Sequence, residues 1–397
     1  MSEDQRAEAG SRNVLFIGLV SLLNDTSSEI IQPIMPLFIT SLGGGAIAVG
    51  LVGGLSEGIP SMLKILSGYA GDITGKRKTL VVAGYGLSAV AKTLLPLSGT
   101  WQHVVLLKSV ERCGKGVRAA PKDAIISGSV ESSHMGRGFG TVRALDTFGA
   151  VLGSGLAYLL WSAGLSFRQI LAVAAALSLM AFIPLIYVRD VRRSPMAIIR
   201  PGISSLPLRL RWFVLVASIF SLANFSYMFF MLRAQELFVG SLAVGAPLLL
   251  YILYNIVYSG MAIPSGVVSD LVGRRWTLAI GYALFSLVAL GFAFVSSTGW
   301  LVLLFVMYGL VFAIVDGAQS AYVSDLSCDE VRCTALGVYH GMVGIASIAS
   351  GLIAGSIWQA FGPDATFLFG ALMAAAASFC MVLGEMMLRG RSEGVRA

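Results

Sequence analysis

The chain has 397 residues, of which 56% are apolar and 12% charged, the latter about half the roughly 25% of a soluble domain. That balance excludes an ordinary water-soluble fold. The formal net charge of +7 comes from basic residues in the connections between apolar segments and does not imply nucleic-acid binding.

Met1 to Arg12 is polar and of mixed charge, and the first apolar segment carries Asp25 and Glu29, so no signal peptide is expected. Segments of about 20 apolar residues, enough to cross a hydrocarbon core of about 30 Å, predict an all-α membrane protein of twelve helices. They run over residues 13–40, 45–70, 78–98, 101–127, 138–163, 167–189, 210–236, 243–269, 276–296, 299–325, 334–359 and 364–388. The longest connection, 190–207, is rich in Arg, Ser and Pro and divides an N-terminal six-helix half (1–189) from a C-terminal one (208–397).

Alternate connections hold Lys76, Arg77 and Lys78, then Arg137, then six arginines from Arg189 to Arg211, then Arg274 and Arg275, Arg332, Arg389 and Arg391. The opposite set holds Arg168. By the positive-inside rule the first set faces the cytoplasm, as do both termini. The expected location is the prokaryotic plasma membrane, as a monomer surrounded by lipid, with no nucleic-acid partner.

Four cysteines form no C-x-x-C pair, and His340 stands apart from any second ligand at suitable spacing, so neither a metal site nor a cofactor is expected. No phosphate loop is present: Gly75-Lys76 is followed by Arg77, and Lys115 sits inside a helix. Without H-E-x-x-H or a Cys/His cluster either, an enzyme has little support and a gradient-driven process remains.

One pattern occurs twice. Gly68-x-x-x-Asp72-x-x-Gly75-Lys76-Arg77 returns as Gly266-x-x-x-Asp270-x-x-Gly273-Arg274-Arg275, 198 residues later. Each copy lies between the second and third helices of its half, which is what a duplicated unit leaves behind. Gly75 and Gly273 permit a tight reversal, and Gly68 and Gly266 would let a neighbouring helix come close. The acids Asp72 and Asp270 can accept hydrogen bonds from Arg77 and Arg274. With Asp123 these residues suggest a cytoplasmic gate, a latch that closes in one state and parts in the other.

The helix count, the central linker and the paired loops resemble the major facilitator superfamily over nearly the whole chain. Arg112-x-x-x-Gly116 is similar to a fourth-helix motif of the family. Gly149-x-x-x-Gly153-Ser154 is similar to its antiporter motif, with Ser154 where Pro is usual. Glu111 to Ala124 resembles a prokaryotic branch of mostly unknown substrate, some members of which are associated with metal efflux. The resemblance implies alternating access and a central cavity lined by the first and fourth helices of each half. It favours proton-coupled export of a small molecule over import.

On the fourth helix Lys108, Glu111, Arg112, Lys115, Arg118, Lys122 and Asp123 fall within about 140° at 100° per residue. At about 2.5 to 3.5 kcal/mol each at the bilayer centre, they cannot all face lipid. The first helix offers an opposing face of Asn24, Asp25, Ser28, Glu29 and Gln32, and the second adds Glu57. Asp25, Glu29, Glu57, Lys108, Glu111, Arg112, Arg118 and, in the second half, Asp316 are thus candidates for substrate or ion coupling. Asn24, Tyr227, Tyr254, Asn255 and Tyr258 are candidate substrate contacts. Five bases against two acids on the fourth helix also suit an organic anion; metal efflux and a non-transporting sensor are further alternatives.

Overall fold

The computed structural model describes residues 3–130, 135–190, 206–327 and 332–393, so most of the expected linker lies outside the described residues. The elements are α1 (Glu3–Ser41), α2 (Ala46–Thr74), α3 (Arg77–Leu94), α4 (Trp101–Ser129), α5 (Met135–Ser162), α6 (Phe167–Met180) and α7 (Phe182–Tyr187). Then follow α8 (Leu208–Ala223), α9 (Tyr227–Glu236), α10 (Leu242–Val272), α11 (Arg274–Ala293), α12 (Thr298–Asp325) and α13 (Arg332–Glu393). Among the described residues ten helical spans are long and apolar enough to cross a membrane.

The difference from twelve has two physical sources. α4 does not qualify because its seven charges make it too polar. α13 is one continuous element by hydrogen bonding but turns at Gly362, where φ is 87°, followed by Pro363. Both features match predicted boundaries, the second between the segments 334–359 and 364–388. α6 and α7 run together as one span, as do α8 and α9. The latter pair is interrupted at residues 224–226, which the sequence pattern does not announce. Asn224 leaves helical geometry with φ −85° and ψ 66°, and the Ser226 hydroxyl caps α9 by accepting the Met228 N–H.

The chain forms two compact units, one of residues 1–44 and 55–198, the other of 45–54 and 199–397. Unit 1 buries Val14, Ile17, Val81, Tyr85, Ile125 and Val142 together. At the same end the Asn13 amide donates to Ser129 Oγ (2.7 Å) and to the Arg189 carbonyl (3.1 Å), tying α1 to the ends of α4 and α7. Unit 2 has an aromatic core in which Phe230 stacks on Tyr308 (4.2 Å between centroids) and meets Phe292 and Phe367 edge-on. Large apolar side chains such as Leu106, Ile186, Ile263 and Leu271 point outward, as a surface solvated by lipid requires.

Small residues bring the helices of unit 1 together, the usual device where lipid removes the hydrophobic drive for association. A Cβ at Gly116 would sit 2.6 Å from the Leu63 Cβ on α2, and one at Gly149 would sit 2.9 Å from the Leu22 carbonyl on α1. Gly153 is likewise pressed on Thr26 and Glu29. The motif that resembles the antiporter signature is therefore the seam between α5 and the acidic face of α1. Ser154, in place of Pro, returns its hydroxyl to the Ala150 carbonyl within α5 (3.0 Å).

Candidate functional site

The seven charges of α4 do not form one surface. An arc of about 140° is wide enough to reach several neighbouring helices at once, and the side chains divide among them. Lys108 and Arg112 both close on Glu111, at 2.9 Å and 3.2 Å, in a cluster whose side chains are 2–3% exposed. Arg112 also donates to Gln32 Oε1 at 3.5 Å, and the Gln32 amide donates to Glu29 Oε1 at 3.1 Å. Arg118 turns toward α3, where it donates to Ser88 Oγ (2.6 Å) and lies over the Tyr85 ring (4.5 Å). Lys122 turns toward α1 and α5, donating to Ser21 Oγ (3.0 Å) and pairing with Asp146 (3.7 Å). Lys115 is the exposed one of the set. Most of those charges are thus engaged within the half.

Two groups in this region were not anticipated. Asp146 on α5 is the partner of Lys122. Lys92 on α3 is 1% exposed and donates to the Asn24 carbonyl (3.3 Å), Asn24 Oδ1 (3.2 Å), Ser27 Oγ (3.1 Å) and Ser28 Oγ (2.9 Å). Ser27 in turn donates to the Ala174 carbonyl of α6 at 2.6 Å. A lone lysine inside an apolar span is itself a signal, and its receptor was visible as the polar face of α1. The Asn24 side chain, a candidate substrate contact, is buried against Lys92 and also donates to Asp25 at 3.3 Å. Asp25 and Glu29 are half-buried and Glu57 is exposed.

The duplicated loops have the expected backbone. Gly75 (φ 62°) and Gly273 (φ 94°) both adopt the left-handed conformation that a side chain disfavours. Their neighbours differ. A Cβ at Gly68 would meet Ala120 at 3.4 Å, whereas one at Gly266 would meet nothing within 4 Å, so the close approach expected at Gly266 is not made. The Asp72 side chain lies outside the described residues.

The second copy forms an ion-pair bridge with an additional member. Arg274 bridges Asp270 (3.2 Å) and Asp325 (2.8 Å), joining α10, α11 and the end of α12. Both acids are more than half exposed, which limits such a bridge to about 1 kcal/mol. Asp325→Asn is accordingly expected to shift the balance of conformers by no more than about fivefold. Cysteine accessibility at the α10–α11 turn measures that shift.

In unit 2 the aromatic candidates converge. Tyr227 lies 5.2 Å from Tyr251, which lies 5.9 Å from Tyr254, which stacks with Tyr258 at 6.1 Å and 8° between planes. Asn255 is buried beside them on α10. The Tyr258 hydroxyl donates to Asp316 Oδ2 at 2.8 Å. Among the described residues no group of three or more His, Cys, Asp or Glu side chains could hold a metal ion.

Residues 17–253 and 211–394 match the family model of the Major Facilitator Superfamily. An uncharacterized MFS-type transporter of Methanocaldococcus jannaschii is 47% identical over 371 residues, 92% of each chain. A methyl viologen resistance protein of Salmonella typhimurium is 34% identical over 118 residues, 29% of this chain and 24% of that one. Among solved structures, a mutant of the nucleoside transporter NupG superposes with a TM-score of 0.81 at 15% identity, covering 94% of this chain and 99% of that one. At that identity the likeness is one of fold.

Proposed function

Because the chain belongs to the Major Facilitator Superfamily, we propose that it is a secondary active transporter of the prokaryotic plasma membrane, exporting a small organic molecule in exchange for protons by alternating access. In this reading α4 and the two arms of α13 bring the spans to twelve, with both termini cytoplasmic and the halves 1–189 and 208–397 joined by the linker 190–207.

The observation that carries it is the buried Lys108–Glu111–Arg112 cluster and its link through Gln32 to Glu29. Intramembrane charge of this density is retained where ions or substrates pass. The half-buried carboxylates of Asp25 and Glu29 face the positive charge of α4 and are the acids to which ion coupling is assigned in this reading. The close seam between Gly149, Gly153 and α1 couples any movement of α5 to those acids. Export rather than import is supported by the resemblance of that seam to an antiporter motif and by the resistance protein among the partial relatives.

The test is flux in proteoliposomes under an imposed pH gradient, against a panel of organic cations, organic anions and divalent metals. Wild-type protein is expected to move a solute against its own gradient. Asp25→Asn or Glu29→Gln should retain solute exchange while losing at least tenfold of gradient-driven flux. Flux indifferent to the pH gradient in the wild type would sink proton coupling.

A further inference from the structure

Unit 2 differs from unit 1 in the charge it places inside the membrane. Between Trp212 and Leu388 there is no lysine, and the arginines are Arg233, Arg274, Arg275 and Arg332, each in a terminal turn of its helix; His340 lies within α13. Arg233 is held by Glu236 (3.1 Å) and Asp364 (2.7 Å), and Arg274 by Asp270 and Asp325. Arg275 donates to the carbonyls of Met381 and Val382. Asp316 lies nine residues before the end of α12, about 13 Å along the helix axis. It is exposed, and its described partner is a neutral phenol.

A carboxylate at that depth cannot face lipid in its charged form. It must face water or a positive partner. The ring beside it is Tyr258, backed by the buried Tyr254 stacked against it and then by Tyr251 and Tyr227. Ring faces attract weakly hydrated cations within about 6 Å and do little for a small, strongly hydrated ion. One carboxylate and neutral phenols are also too few ligands for a divalent metal, which takes several charged or carbonyl oxygens.

We propose that Asp316 and Tyr258, with the Tyr251–Tyr254 ring ladder, form a binding site for a small organic cation of the alkylated or aromatic ammonium class. The site rests on the transporter reading and names its substrate class. Asp316 supplies the charge, Tyr258 fixes the carboxylate through its hydroxyl, and the rings replace the cation's hydration. Asn255, whose amide Nδ2 is buried with no hydrogen-bond partner among the described residues, is the polar group on the same helix for a ligand carrying an acceptor.

The experiment is equilibrium binding to the purified full-length protein in detergent, with no gradient applied. The probes are tetraphenylphosphonium and methyl viologen as cations, benzoate as an anion and nickel as a metal. Wild-type protein is expected to bind at least one cation saturably, more tightly than benzoate or nickel. Asp316→Asn should weaken that binding at least tenfold, Asp316→Glu should restore part of it, and Tyr258→Phe should weaken it about threefold. Unchanged cation binding in Asp316→Asn, or binding of benzoate in preference to both cations, overturns the proposal. Thermal unfolding of each variant confirms that a loss is not one of folding. Cation binding without proton-driven flux would leave the site standing and remove the export reading, whereas proton-driven flux of a solute that ignores Asp316 would do the reverse.

Discussion

Glu111→Gln is expected to destabilise the folded protein by about 3–5 kcal/mol, the cost of leaving buried charge without its partner. The carboxylate lies 2.9 Å from Lys108 and 3.2 Å from Arg112, and all three side chains are 2–3% exposed. Glutamine keeps the shape of the side chain and removes the charge, so two cations one helical turn apart would repel in a medium that does not screen them. Folded yield in the membrane and thermal unfolding in detergent measure the effect. Replacing Lys108 and Glu111 together with Met should recover part of the loss, since removing both partners of a buried pair is far cheaper than removing one. A Glu111→Gln protein as stable as the wild type would mean that the cluster does not hold the half together.

How these charges pair could not be read from the chain. Helical periodicity placed seven of them on one side of α4, and that placement is right as an angle. Periodicity says nothing about how many neighbours an arc of about 140° touches, and the structure shows it touching α1, α3 and α5, which engage the side chains in separate directions. Asp146 was invisible for the same reason: its partner, Lys122, lies on another element, α4. Lys92 was legible in principle, as a lysine inside the apolar run from Arg77 to Leu97, but a single residue has no period and its receptor lies 64 to 68 positions away.

The fold itself was far more accessible, because hydrophobic length and glycine at positive φ are local. The predicted segments fall on helices, with ten spans long and apolar enough to cross a membrane among the described residues, and both duplicated loops reverse at the glycines expected, Gly75 and Gly273. The interruption at residues 224–226 was hidden because apolar residues run on through it. Asn224 and Ser226 are the only polar hints, and either is tolerated in a continuous membrane helix.

Gly351→Leu is expected to reduce transport at least tenfold while leaving a folded protein that still binds its substrate. The start of α2, residues 45–54, groups with unit 2 whereas the rest of that helix groups with unit 1. Its hold on α13 is made by small residues in matched spacing: Gly50 and Gly54 face Gly351, and Ala46 faces Gly355. A Cβ at Gly50 would run into the Gly351 carbonyl oxygen, and one at Gly351 into that of Gly50. Gly54 and Gly355 are pressed on the Ser347 and Ala46 carbonyls, at 2.8 Å and 2.7 Å from a Cβ placed there. Backbone cannot step aside as a side chain can, so a leucine at Gly351 must part the two helices, and overpacking of this kind costs about 1–3 kcal/mol or more. Alternating access requires that some helix contacts be made in one state and broken in the other, and a contact of bare backbone has no side chains to disentangle. If this is such a contact, about 3 kcal/mol against it changes the ratio of the two states by about 150-fold and halts the cycle without unfolding the chain. Cysteine labelling at residues 45 and 359 should then report permanent access, and Gly351→Ala should give a smaller shift in the same direction. Normal flux in Gly351→Leu would show that the helices can remain apart through the whole cycle; loss of folded protein instead would make the glycine seam a fixed part of the scaffold.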